Sequence, residues 1–151
     1  MTRPMDDSVT NRLDMVLRND LSELERLAAA VDDFVERNAL PPDIAFKVNL
    51  CCDELITNTV TYGYGGAGGD AGPREIRVRL EIDGAELRVE LEDDADAFDP
   101  FAEAPPPDLT GDLDDRQVGG LGVFLVRQMM DRMSHRRENG RNLTSLAKRL
   151  D

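Results

Sequence analysis

Between residues 76 and 91 the chain alternates. Ile76, Val78 and Leu80 are separated by Arg77 and Arg79 and followed by Glu81, and after Asp83-Gly84 the pattern resumes through Leu87, Val89 and Leu91. A period of two places the apolar side chains on one face of an extended strand and the charged ones on the other. Asp-Gly between two such runs is a hairpin turn. The product is an antiparallel pair with an apolar face to bury, so the chain must supply a second layer to cover it.

The remaining segments supply both more sheet and the cover. Leu13, Met15 and Leu17 alternate with polar residues, which predicts a half-buried strand over residues 11–17. Residues 133–137 and 143–150 read as a final hairpin turned at Asn139-Gly140. Asn19 or Asp20 is placed to cap a helix reaching about Asn38, with the stripe Leu21, Leu24, Leu27, Ala28, Val31 and Val35. Pro41-Pro42 opens a second helix whose core face is Ile44, Val48, Cys51 and Leu55, ending at Gly63. A third, apolar helix follows Gly119-Gly120-Leu121-Gly122 and runs to about Asp131. The order predicts an α+β fold: a two-layer sandwich with helices on one face of a mixed, mostly antiparallel sheet. Residues 11–151 read as a single domain and residues 1–10 as a disordered N-terminus.

Three places carry chemistry. Glu54, Asn58 and Tyr62 recur every four residues, so on a regular helix they share one face. A carboxylate and an amide one turn apart are oxygen donors suited to Mg²⁺, and the carboxylate can serve as a general base. An equally simple account makes them polar residues of a helix surface. The second place is the acidic end of the strand after Leu91, from Glu92 through Asp93, Asp94, Asp96 and Asp99. About twenty aperiodic residues follow, a length that marks a lid or disorder. The third is the run of glycines opening the last helix, where backbone N–H groups can face a phosphate or where a tight turn simply needs glycine.

The formal net charge of −13 excludes a broad nucleic-acid or anionic-membrane surface. With 40% hydrophobic and 32% charged residues the composition is that of an ordinary globular protein. Neither a signal peptide nor a membrane span is evident, so a cytoplasmic location is expected. Cys51 and Cys52 are adjacent on a helix and cannot readily bridge each other; they read as small hydrophobes. His135 falls in a strand and reads as a packed or exposed strand residue, and the basic residues Arg136, Arg137, Arg141, Lys148 and Arg149 read as a solvated hairpin face, with docking of an acidic partner surface the alternative.

Taken together, the pieces resemble the Bergerat-fold ATP-binding superfamily of gyrase, histidine kinases and MutL. The closer resemblance is to bacterial anti-sigma factor serine kinases of the RsbW type. Residues 53–64 are similar to their N box, residues 93–100 to their D-x-G-x-x-F-D-P box, and Gly120-Leu121-Gly122 to their G-x-G box. The resemblance covers about residues 11–150. It implies ATP and Mg²⁺ as cofactors, with Glu54 as catalytic base and Asn58 as the Mg²⁺ ligand. It implies Asp93 as acceptor of the adenine amino group, and Gly119, Gly120, Leu121 and Gly122 at the phosphates. Residues 101–118 would be the ATP lid, with Arg116 its only basic residue. Ala95 stands where the box carries glycine: if the backbone there needs a positive φ, alanine costs on the order of 1 kcal/mol. If the glycine only gives clearance, the methyl crowds the nucleotide. The implied partners are a small STAS-type antagonist protein, a sigma factor and a second copy of the chain, with no direct nucleic acid and no membrane. The implied activity is protein serine/threonine kinase. The alternative is a nucleotide-binding partner-switching module that acts without phosphoryl transfer.

Overall fold

A computed structural model describes residues 11–63, 74–97, 99 and 118–150, with the backbone alone for 62, 63 and 118–122. Residues 1–10, the glycine-rich segment after Gly63 and the acidic segment bearing Arg116 lie outside the described residues.

The period-two pattern becomes β2 (Glu75–Asp83) and β3 (Glu86–Asp93). Its apolar side chains are all buried, from Leu80 and Leu87 at 0% exposed to Leu91 at 5%. The turn sits one residue later than expected: Asp83 pairs with Glu86, and Gly84-Ala85 make the loop. Gly84 has φ +64°, which suits a two-residue turn that needs the left-handed region at its first central position. β1 (Arg12–Arg18) flanks β2. β5 (Arg141–Arg149) pairs with β3, and β4 (Arg132–Glu138) forms the far edge. The order is β1-β2-β3-β5-β4, antiparallel at every described pairing. Asn139 and Gly140 both have positive φ (53° and 76°), as the expected Asn-Gly hairpin requires.

Helices α1 (Leu24–Arg37), α2 (Pro42–Asn58) and α3 (Val118–Met129) cover the apolar face. α2 packs against α1 on one side and α3 on the other. Val31 and Phe34 of α1, Val48, Cys51 and Leu55 of α2 and Val126 of α3 join the strand side chains in one core cluster. This is the α+β two-layer architecture read from the sequence. Cys51 and Cys52 are free and buried, and burial pushes both thiols up to about 12, so they pack as inert thiols.

Asp20 is the cap: its carboxylate accepts the Ser22 N–H at 3.0 Å. The chain then makes one 3₁₀ turn, Leu21–Glu23, before the α-helix proper. Asn19 ties β1 to the start of β2: its N–H donates to the Arg74 carbonyl and its side-chain oxygen accepts the Arg74 N–H, each at 3.1 Å. At the other end of α1, the Ala39 N–H donates to Glu36 O and the Leu40 N–H to Val35 O, closing a Schellman motif. That motif forces Ala39 to φ 53°. Replacing Ala39 with glycine, which carries no Cβ, is expected to raise stability by about 0.5–1 kcal/mol in urea denaturation.

The face of the sheet away from the helices carries ion pairs: Arg79 and Arg12 on Asp14, Arg88 and Arg132 on Glu86, and Arg141 on Glu92. Each is exposed and adds little stability, but together they neutralise the face. Among the described residues no helix is long and apolar enough to cross a membrane.

Candidate functional site

The carboxyl end of α2 brings the first two expected residues into the structure. Glu54 is half-buried and Asn58 is 3% exposed. Burial, with Asp53 beside it, raises the Glu54 carboxyl above its ordinary value. Asn58 Nδ2 is buried without a hydrogen-bond partner, the one such side-chain atom among the described residues. An orphaned buried amide is costly unless a ligand completes it. Regular spacing stops here. The Leu55 carbonyl accepts both the Thr59 N–H and, at 3.1 Å, the Thr59 hydroxyl. Such back-bonding bends helices, and the chain winds on as a π turn over Thr59–Gly63. The backbone therefore leaves the strict four-residue period after Asn58, and the side chain of Tyr62 lies outside what is described.

The end of β3 supplies the second part. Asp93 is 5% exposed. Its Oδ1 accepts the Asn142 side-chain N–H at 2.9 Å and the Ala95 backbone N–H at 3.0 Å. Oδ2 accepts no hydrogen bond from the described residues. Burial raises the Asp93 carboxyl, and the bonds from Asn142 and Ala95 pull it back. Asp93 faces a narrow cleft between α2 and the sheet, beside Leu55, Ile56, Thr59, Leu91 and Thr144. The cleft holds about 10 Å³ of free space, room for about one water. A flat base entering here must spread these walls. Ala95 is not among the residues with positive φ, so alanine in place of glycine carries no left-handed strain. Its methyl is buried at the cleft, 3% exposed.

The third part is α3. Its helical backbone starts at Val118, so Gly119, Gly120 and Leu121 lie within its first turn and Gly122 opens the second. The first N–H groups of a helix have no intrahelical acceptor and favour an anion. Arg116 lies outside the described residues.

Sequence reasoning missed the support behind Asp93. Arg137 was expected on a solvated face. It is exposed at the sheet edge, but its guanidinium also reaches back over the strand end, donating to Ala95 O at 2.9 Å and to Asn142 Oδ1 at 3.1 Å. Asn142 donates to Asp93, to Ala95 O at 3.3 Å and to Asp96 O at 3.0 Å. Thr144 Oγ1 lies 3.2 Å from His135 Nδ1. A signal existed: extending the inward phase of Leu146 and Met133 along the hairpin reaches Thr144, Asn142, His135 and Arg137, polar residues on a side that should be apolar. By contrast Arg136, Arg141 and Arg149 form outer ion pairs with Glu138, Glu92 and Asp131, while Lys148, opposite buried Leu87, also pairs with Asp131.

The chain belongs to the histidine kinase-like ATPase domain family, whose model matches residues 17–148. Within that class it is 32% identical over 103 residues to the serine/threonine-protein kinase BtrW of Bordetella bronchiseptica, covering 68% of this chain and 69% of BtrW. The resemblance drawn from the motifs is borne out at this level. Among solved structures it is similar to the RsbU and RsbW domains of a Mycobacterium tuberculosis protein, with TM-score 0.63, 14% identity and 92% of this chain covered. It is also similar to the SiaB–SiaC complex structure of Pseudomonas aeruginosa, with TM-score 0.54, 15% identity and 95% of both chains covered. The blue-light-activated histidine kinase of Erythrobacter litoralis matches with TM-score 0.54 at 20% identity over 85% of this chain. This chain spans 32% of the first of these structures and 41% of the histidine kinase. At such identities the likeness establishes the fold.

Proposed function

We propose that this chain binds ATP with Mg²⁺ and transfers the terminal phosphoryl group to a serine or threonine of a small STAS-type antagonist protein, so controlling a sigma factor by partner exchange in the cytoplasm. The observation that carries the reading is Asp93: a buried carboxylate with one oxygen accepting two hydrogen bonds and the other left to the cleft. Such an oxygen accepts the exocyclic N–H of adenine. The likeness to BtrW, a serine/threonine-protein kinase, supports the choice of acceptor.

The remaining roles follow from placement. Asn58 would hold the metal through its side-chain oxygen, together with phosphate oxygens, while its unpartnered Nδ2 would donate to a phosphate oxygen. Among the described residues no three His, Cys, Asp or Glu side chains gather as a metal cage, and Mg²⁺ is commonly held by few protein ligands plus phosphates. Bound there, it neutralises phosphate charge during transfer. Glu54 receives the proton of the incoming hydroxyl; burial makes it a better base than an ordinary carboxylate. The first-turn N–H groups of α3 would donate to the phosphates. Titration calorimetry with MgATP tests the reading, followed by transfer of labelled γ-phosphate to a co-encoded antagonist. Absence of ATP binding overturns it; binding without transfer leaves the partner-switching alternative.

A further inference from the structure

We propose that Asn142, itself held by Arg137, is the positioning residue that presents Asp93 to the base as an acceptor alone, and so sets the preference for a 6-amino over a 6-oxo purine. The inference rests on the adenine reading of Asp93.

A carboxylate discriminates between bases only if two conditions hold. It must be prevented from turning, and it must stay without a proton. A protonated Asp93 could donate to the carbonyl of a 6-oxo base and accept it as readily as an amino base. Both conditions trace to the same side chain. Asn142 Nδ2 and the Ala95 N–H together occupy Oδ1, which leaves Oδ2 to the cleft. Burial favours the protonated acid, and Asn142 is the largest influence against it. The other charged neighbours are Asp94, already paired with Arg74, which pushes toward the acid, His135 of β4, which pushes against it, and Asp96, which lines the same cleft. The α2 and β2 walls present Leu55, Ile56, Thr59 and Ile76, all uncharged.

Asn142 could not do this if its amide were free to flip, since its oxygen would then face Asp93. Arg137, together with the Ala95 and Asp96 carbonyls that accept from Nδ2, removes that freedom. Its Nη1 donates to Asn142 Oδ1 at 3.1 Å, which leaves Nδ2 pointing at Asp93. The register makes this contact inevitable once the strands pair: Asn142 lies directly opposite Asp93 on β5, and Arg137 opposite Asn142 on β4. Arg137 is an exposed residue at the edge of the sheet, so it can be changed without touching the core.

The test compares MgATP with MgITP, which differ at the purine 6-position, by titration calorimetry on the wild type, Asn142→Ala and Arg137→Ala. The wild type should prefer ATP. Asn142→Ala should reduce the ATP/ITP affinity ratio by about tenfold, the worth of one charge-assisted hydrogen bond, and Arg137→Ala by about threefold in the same direction. A wild type that prefers ATP, with the ratio unchanged in Asn142→Ala and Arg137→Ala, overturns the role of Asn142 while leaving the adenine reading intact. A wild type without preference overturns both. If Asn142→Ala does not fold, the ratio in Arg137→Ala decides. A fall in affinity for both nucleotides at constant ratio marks a purely structural role and also overturns the proposal.

Discussion

Glu54→Gln is expected to lower phosphoryl transfer to the antagonist protein by roughly two to four orders of magnitude, the range of a lost general base. ATP affinity should change little. Gln preserves shape and hydrogen bonding but cannot take the proton of the attacking hydroxyl. The pH profile gives a second readout. Burial and Asp53 raise the Glu54 carboxyl, so below its raised pKa the residue is protonated and idle. Transfer should therefore rise with pH through an apparent pKa above the ordinary carboxylate range, and the variant should lose that limb. Unchanged transfer in Glu54→Gln, measured with labelled ATP, means the hydroxyl is activated elsewhere.

Asp93→Asn is expected to weaken ATP binding by about 10- to 100-fold, from one or two unsatisfied donors. The amide has two orientations and each fails. With its oxygen toward Asn142 and the Ala95 N–H, its NH₂ meets the amino group of adenine. Reversed, its NH₂ meets the two donors that now bond Oδ1. Folding should survive. The Asp93 carboxyl is raised in the folded state, so its ionisation costs stability as pH climbs through the unfolded and then the folded pKa, in full above both. The neutral amide avoids that cost, and the melting temperature at neutral pH should not fall. ATP binding equal to wild type would falsify the base-reading role of Asp93. A large fall in melting temperature would make lost binding a matter of folding instead.

Much of the fold was legible because its signals are local. Ile76, Val78 and Leu80, with Leu87, Val89 and Leu91, record a half-buried hairpin in a period that needs no partner to be seen. Ile44, Val48, Cys51 and Leu55 do the same for α2. Glu54 and Asn58 could be linked because one helical turn relates them, and Asp93 because a strand ended in acid. The strict four-residue period does not continue in the backbone from Asn58 to Tyr62, because a hydroxyl at Thr59 and a turn to π winding change the phase. That depends on which carbonyl the hydroxyl reaches, which periodicity does not report.

Local spacing and turn chemistry determined the class of fold and the helix bearing Glu54 and Asn58; the family entered through the resemblance of the motifs and is shown by the match over residues 17–148. Only the tertiary structure decided that Asn142 lies against Asp93, 49 residues apart in sequence, and that Arg137 reaches back over the strand end. It also decided that Ala95 sits without strain and that Asn58 is left with an unpartnered amide. The physical reason is that cross-strand register and burial are set by pairing between distant segments. A side chain's alternation tells which face it takes, but not which residue waits for it there.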